Sequence, residues 1–322
     1  MDIRSLAMEI CPKRFNRRQK EKFLKHLDEI FEEQGYPSLR NEKRDFRGLT
    51  RNAIYAFEKS TKVYIAVPYD TPEHLFWYKS EYFPLDGGRS MNKNMIATYI
   101  PALIVYAIIL IVVMFVAPLI TNLAMQMFIN LGVLVSTLFL LFLMFRGIGN
   151  KYNANRNSSS VIAAVDFMKK LDRDQKRRIG FIFTDRNQKN CQGAKLLSSY
   201  FAQQNKNPEI IWLNCVGEGD TIGIGYRMHG KRLASSLNAG KKSKASLLCE
   251  MNGDKCMQTV MAYFDKGVMI CAGRRDDKGS IVVNGTQSAK DRNIDETIVA
   301  EVVSLLHRTL LKKQSENQLN RE

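Results

Sequence analysis

The residues that could carry chemistry are scattered, and few of them sit at spacings that make a site. Gly225-Tyr226-Arg227-Met228-His229-Gly230-Lys231-Arg232 nearly spells a phosphate-binding loop. It fails at its last position, where Arg232 replaces the hydroxyl that would hold magnesium, and the preceding strand ends too far back. The cluster Gly217, Gly219, Gly223 and Gly225 reads as a turn after a strand. His26, His74, His229 and His307 have no helical or strand spacing to a Cys or carboxylate that would close a metal site. Cys249 and Cys256 read as buried or inert thiols rather than ligands. Ser158-Ser159-Ser160 has no histidine base nearby and reads as a helix N-cap. The set Lys241, Lys242 and Lys244 reads as solvated surface.

The elements that would position any site are organised around an apolar stretch. From Asn94 to Phe145 there is no Asp, Glu, Lys, Arg or His. A bilayer core takes about 20 apolar residues per helix, so this run is too long for one span and right for two. Pro118 and the polar Thr121-Asn122 supply the break. The expected helices cover about 95–116 and 123–145. The connector is uncharged, whereas Lys79, Arg89 and Lys93 precede the hairpin and Arg146, Lys151 and Arg156 follow it. That asymmetry places both termini and the soluble body in the cytoplasm of a two-pass protein of the cell membrane. Six Cys without close pairing fit a reducing compartment. Within the second span, Gln126, Asn130 and Thr137 fall near one helical face, and Gly132 and Ser136 form a small-xxx-small pair. Such residues favour helix–helix contact, with the first helix, another membrane protein or a second copy.

A net charge of +16 and a pI near 9.6 suit an anionic leaflet or nucleic acid. The hairpin decides for the bilayer, since no nucleic-acid motif is present. Before the hairpin, residues 13–33 read as an amphipathic helix with Phe23, Leu24, Leu27, Ile30 and Phe31 inward, ending at Gly35. A hairpin-like strand pair, 52–57 and 62–67, follows. Trp77, Tyr78, Tyr82 and Phe83 are either an interfacial belt or packed under the domain. After the hairpin the pattern alternates. Helices are expected at 161–171, 191–203, 229–237, 255–264 and 294–312, and strands at 179–184, 209–216, 245–249, 268–271 and 280–283. This is an α/β chain with a mixed, mostly parallel sheet covered by helices on both faces. Its soluble body is split into 1–93 and 146–312, and the tail 313–322 reads as disordered.

The order of these segments carries a resemblance. Asn157-Ser158-Ser159-Ser160-Val161 leads to the strand Ile179–Thr184, then Asn187-Gln188 and Gly193-Ala194-Lys195; an earlier strand ends in Pro68-Tyr69-Asp70-Thr71. The chain resembles the co-catalytic zinc aminopeptidase family, which includes glutaminyl cyclases and nicalin, over roughly 15–93 and 146–312, with the membrane hairpin as an insertion beside the metal site. The resemblance implies a zinc-exopeptidase-like fold and two zinc ions held by carboxylates and imidazoles. Carried over position by position, Pro68 stands for the first His, Arg156 for the bridging Asp, Asn187 and Gln188 for the Glu-Glu pair, Asn214 for a further Asp and Asn284 for the last His. Only Asp70, which orients the first His in the family, is retained. Amides, a proline and a guanidinium cannot grip a pair of divalent cations.

The expectation is therefore no metal, no cofactor and no enzyme: a catalytically inactive, membrane-anchored pseudopeptidase working by contact. It would be a scaffold or accessory subunit of a membrane complex, such as a transporter, or of its own oligomer. Arg156 and Asp70 are the candidate ligand-binding residues, with structural pairing between them the simpler role. Two alternatives stand beside it. One is a metal-dependent or metal-free hydrolase using residues such as Asp70, Asp185 or Asp254. The other is a peptide-binding sensor.

Overall fold

Local sequence sets the first elements. In the computed structural model, which describes residues 2–46, 48–74, 81–187, 190–240 and 245–319, the chain opens with a short turn, α1 (Ile3–Ser5), that continues as a π-helical turn, Leu6–Ile10. Helix α2 (Arg17–Glu33) begins at a reciprocal capping box between Asn16 and Gln19. It buries Phe23, Leu24, Leu27, Ile30 and Phe31, the face that helical periodicity selects. Gly35 turns the chain out of it at a φ of +78°, where a side chain would be strained.

The strands before the hairpin are β1 (Ser38–Asp45), β2 (Gly48–Tyr55), β3 (Val63–Pro68) and β4 (Glu81–Tyr82). The hairpin is α3 (Gly87–Ile111) and α4 (Leu123–Arg146), and the chain returns through α5 (Ser159–Lys169), α6 (Arg173–Arg178), β5 (Ile179–Thr184) and α7 (Gln192–Gln203). Then come β6 (Glu209–Leu213), β7 (Thr221–Tyr226), α8 (Lys231–Ala239), β8 (Ala245–Glu250), β9 (Gly267–Arg275), β10 (Ile281–Asn284) and α9 (Glu296–Leu319). They form one sheet in the order β1-β2-β5-β3-β6-β9-β10-β4, with β7 on β9 and β8 outside β7. The centre β5-β3-β6-β9 is parallel, while the flanking pairings β1/β2, β2/β5, β7/β9, β9/β10 and β10/β4 are antiparallel. α2, α5, α8 and α9 pack on one face of the sheet, and α7 with the 3-10 turns Gly253–Cys256 and Val260–Tyr263 packs on the other.

Several local expectations change. β2 and β3 do not pair as a hairpin, because β5 inserts between them, antiparallel to one and parallel to the other. β1 escaped notice since Ser38–Asp45 is almost entirely polar, as a solvent-facing edge strand can be. The glycines Gly223 and Gly225 are not a turn but the middle of β7. A Cβ on Gly223 would meet the Cys271 sulfur at 2.8 Å, and one on Gly225 the Met251 sulfur at 2.6 Å, so close packing selects glycine there. β7 therefore runs straight into the segment read as a failed phosphate loop, which is a 3-10 turn, Met228–Gly230, before α8. The helix expected over 255–264 is instead the two short 3-10 turns, and α9 runs on past Lys312 to Leu319.

Both hairpin helices are long and apolar enough to cross a membrane, and almost none of either is buried in the rest of the chain. α3 starts at Gly87, well before the apolar run. A π-turn, Val112–Val116, and a 3-10 turn, Ala117–Leu119, carry the break at Pro118. Gln126 and Thr137 are half-buried, whereas Asn130, Gly132 and Ser136 face outward. Phe83 is buried and Tyr82 half-buried in the domain, so these two are packed beneath it and are not a belt. Trp77, Tyr78, Lys79 and the set Lys241, Lys242 and Lys244 lie outside the described residues.

Gly193 tests the packing at the end of β5. A Cβ there would lie 2.1 Å from the Asp185 carbonyl and 2.9 Å from Asn52 Oδ1. Gly193→Ala should lower stability by about 1–3 kcal/mol in thermal denaturation of the detergent-purified chain. Gly132→Ala, with nothing within 4 Å of the new atom, should leave the midpoint nearly unchanged.

Candidate functional site

Three parallel strands deliver the site. β3, β5 and β6 end side by side at Pro68, Thr184 and Leu213, and the order reverses about β3, which has β5 on one side and β6 on the other. Such a switch point opens a crevice at the carboxyl ends of the strands. Here the crevice is a cleft of about 70 Å³ lined by Pro68, Tyr82, Arg156, Asn187, Trp212 and Asn214, among others. Gly87, Ser90, Met91 and Asn94 of α3 form another wall.

One buried cation fixes the frame. Arg14 donates from Nε to the Tyr69 carbonyl (2.6 Å), from Nη1 to the carbonyls of Ala7 (2.9 Å) and Cys11 (2.8 Å), and from Nη2 to Asn153 Oδ1 (2.8 Å) and Ser158 Oγ (2.9 Å). Tyr69 follows β3, and Asn153 precedes and Ser158 ends the π-turn Ala154–Ser158 that presents Arg156. The serines thus make tertiary contacts instead of the expected cap. Ser158 has no capping bond, and Ser159 Oγ bonds the Asn155 carbonyl and receives the Val216 N–H.

Arg156 is buried, its guanidinium carbon 3.2 Å from the Tyr82 ring centroid and Nη1 3.6 Å from Cys215 Sγ. Its expected partner was Asp70; its contacts include Tyr82 and Cys215, and its backbone N–H donates to Asp291. Burial pulls its pKa down, but Tyr82, Cys215 and Asp291 outweigh this and raise it, so the cation persists. Tyr82 in turn accepts from Asn214 Nδ2 at 2.8 Å, and burial pushes its hydroxyl up to about 12. The thiols of Cys191 and Cys215 are pushed up to about 12 and about 11 by burial, so both stay protonated at neutral pH.

Two carboxyls behind the cleft behave differently. Burial raises Asp70 to about 7, with Lys20 opposing and Asp185 reinforcing the shift. Lys20 Nζ lies 2.6 Å from Asp185 Oδ1, and the Arg51 N–H donates to the same carboxylate at 3.2 Å. Asp291 accepts the backbone N–H groups of Asn155 (2.6 Å) and Arg156 (3.2 Å), and burial raises it to about 7 against those bonds.

The structure brings Pro68, Arg156, Asn187 and Asn214 into one cleft, with Asp70 buried two residues beyond Pro68. Asn284 is exposed at the end of β10 and is not part of it, and Gln188 lies outside the described residues. Asp254, on the turn after β8, is exposed. Tyr82, Trp212, Cys191 and the α3 residues belong to the cleft without having been singled out as such. The paired zinc ions implied by the resemblance do not fit these groups. The Pro68 side chain has no donor atom, Arg156 puts a cation in the bridging place, and Asn187 and Asn214 bring neutral amides where carboxylates would be needed. No cluster of three His, Cys, Asp or Glu suited to a metal occurs among the described residues.

Removing Arg14 should show how the frame is held. Arg14→Met removes five buried hydrogen bonds, and each acceptor left unmet costs about 1–3 kcal/mol, so this variant should be among the least stable single substitutions in thermal denaturation. Asp291 gives a pH signature. Folded, it keeps its proton up to about pH 7; unfolded, it releases it near 3.8. Between those values unfolding releases a proton, so stability falls as pH rises. Asp291→Asn should flatten that decline in melting temperature between about pH 4 and 7.

No protein-family model matches this sequence, and no curated protein does. Solved structures match over nearly the whole chain. Porphyromonas gingivalis glutaminyl cyclase superposes with a TM-score of 0.57 at 13% identity, covering 97% of each chain. Bacteroides thetaiotaomicron glutaminyl cyclase bound to N-acetylhistamine gives 0.56 at 14% identity, covering 95% of this chain and 96% of that one. A leucine aminopeptidase precursor from Bacteroides thetaiotaomicron gives 0.54 at 14% identity, covering 95% of each. The resemblance read from segment order therefore holds at the level of the fold, which is mixed α/β as expected. The expectation of a non-enzyme is corrected by the same finding. The structures sharing this fold are glutaminyl cyclases and aminopeptidases, which are enzymes, and replaced ligand positions do not demonstrate inactivity.

Proposed function

Taking the glutaminyl cyclase and aminopeptidase fold as premise, we propose that this chain is a membrane-anchored enzyme of hydrolytic or acyl-transfer type, acting on the aminoacyl end of a peptide-like amide. One observation carries the reading: a buried guanidinium lines the crevice at the ends of β3, β5 and β6, and a carboxyl raised into the neutral range lies behind its Asn187 wall. A preorganised cation stabilises charge that develops on an acyl oxygen. A carboxyl near neutrality suits proton transfer. Arg156 would hold the acyl oxygen. Water attacking the acyl carbon would give a proton, by way of a bridging water beside Asn187, to Asp70, which would pass it to the departing amine as the C–N bond breaks and the C–O bond forms. No step runs through a metal, because the groups at those positions do not fit one. The α3–α4 hairpin would anchor the enzyme, and the basic flanks Arg89, Lys93 and Lys151 support a body on the cytoplasmic side.

The test is a panel of aminoacyl and amino-terminal glutaminyl fluorogenic amides, offered to the full chain in mild detergent with a chelator or with added zinc. Turnover should survive the chelator and rise with pH through about 7 as Asp70 ionises. It should fall roughly 100-fold or more in Arg156→Gln. Turnover that vanishes with the chelator and returns with zinc would refute the metal-free reading, and a silent panel would refute the enzyme.

A further inference from the structure

The first membrane helix is also a wall of the cleft. α3 starts at Gly87, pressed so closely on the Met257 carbonyl that a Cβ would lie 1.8 Å from it, and Asp86 caps the helix by accepting the Arg89 N–H at 3.0 Å. Ser90, Met91 and Asn94 then line the cleft. The very next residue, Met95, begins the exposed apolar surface that Ile96 and Tyr99 continue. From Asn94 to Tyr99 the rise is about 7.5 Å at 1.5 Å per residue. The cleft mouth thus sits at the depth where hydrocarbon would give way to headgroups.

This placement is rigid. Arg89 pairs with Asp276 at 2.7 Å and lies over the Phe83 ring at 3.9 Å, and Lys93 pairs with Glu81 at 2.6 Å. These contacts tie the start of α3 to β4 and to the turn after β9. The chemistry at the mouth is one-sided. No Asp or Glu lines the cleft among the described residues, whereas Arg156 contributes a cation. The indole N–H of Trp212, a residue 1% exposed, has no hydrogen-bond partner among the described residues. The Arg156 cation and the indole of Trp212 line the buried part of a cleft that α3 borders, and they complement an anion that arrives with a tail.

We propose that the cleft receives the anionic, phosphate-bearing head of a bilayer-resident amphiphile, whose acyl tail stays alongside α3. This deepens the reading above, on which it rests for the membrane anchor: the amide-bearing substrate is lipid-borne and reaches the site along the membrane.

Binding is read without turnover. The full chain in a neutral detergent, in a Trp77→Phe background that leaves Trp212 as the remaining tryptophan of the two, is titrated with three probes while indole fluorescence is followed. The probes are dioctanoyl phosphatidylglycerol, dioctanoyl phosphatidylcholine and glycerol 3-phosphate. Saturable quenching by the phosphatidylglycerol, roughly tenfold tighter than by either other probe, is expected, and Arg156→Gln should weaken it roughly tenfold or more. Asn94→Phe, at a half-buried position on the mouth, should weaken it as well, which keeps the test valid if the buried Arg156 variant folds poorly. Equal binding of glycerol 3-phosphate would make this a free-phosphate site and overturn the lipid assignment. Equal binding of phosphatidylcholine, no saturable binding, or indifference to both substitutions would also overturn it. Lipid binding without turnover of any amide would sink the enzyme reading alone; turnover of soluble amides without lipid binding would sink this one alone.

Discussion

The fully buried guanidinium of Arg14 is the constraint on which the rest of this molecule depends. It joins the amino-terminal turns to the end of β3 and, across the entire inserted hairpin, to the segment that presents Arg156. Bringing such a cation out of water costs several kcal/mol, and among the described residues no carboxylate is hydrogen-bonded to it. Five neutral acceptors and the face of Phe23, 4.9 Å away, offset that cost. Burial draws its pKa down to about 10, still well above neutrality, so the charge and every bond it makes persist. A shorter or neutral side chain could satisfy one or two of these acceptors but not connect three segments that are distant in sequence.

With that frame in place, the hairpin is a rigid extension of the sheet. β4 is only two residues long, yet its pairing with β10 sets Tyr82 beneath Arg156 and fixes where α3 leaves the domain. Gly87 lets the helix start against the Met257 backbone, and the ion pairs of Arg89 and Lys93 remove the freedom that remains. The start of α3 therefore belongs to the same body as the cleft, so any partner held by this apolar helix near its start lies beside the cleft.

How much of this was legible depended on whether the signal was local. The apolar run announced two helices long enough to cross a membrane, and the inward face of α2 and the buried strands β5, β6 and β9 followed from periodicity and composition. Pairing did not, because the insertion of β5 between β2 and β3 is a long-range choice that neither strand encodes alone. β1 looked like a loop since an edge strand carrying charge has no apolar alternation. β7 looked like a turn since its glycines serve packing against Cys271 and Met251 rather than conformational freedom. At the site, the order of segments was enough to bring Pro68, Arg156, Asn187 and Asn214 together. Asn284 fell outside because β10 turns its last residue to solvent. Tyr82, Ser90 and Asn94 were unreadable as cleft residues, since only the tertiary placement of the insertion takes them there.

The cleft's polar groups explain why this fold tolerates such a composition. Clustered carboxylates without a cation would repel one another in a low dielectric and force protonation. Here the positions instead hold groups that satisfy each other. Asn214 donates to Tyr82, Arg156 stacks on the same ring, and Asn187 Nδ2 donates to Thr184 Oγ1 at 2.5 Å. The two carboxyls that remain nearby, Asp70 and Asp291, are withdrawn behind the wall and raised toward neutrality. The cleft is therefore lined by neutral amides and one buried guanidinium. The partner it favours is an anion or an oxygen on which negative charge develops, and both the acyl chemistry and the lipid head proposed for it follow from that single inversion of sign.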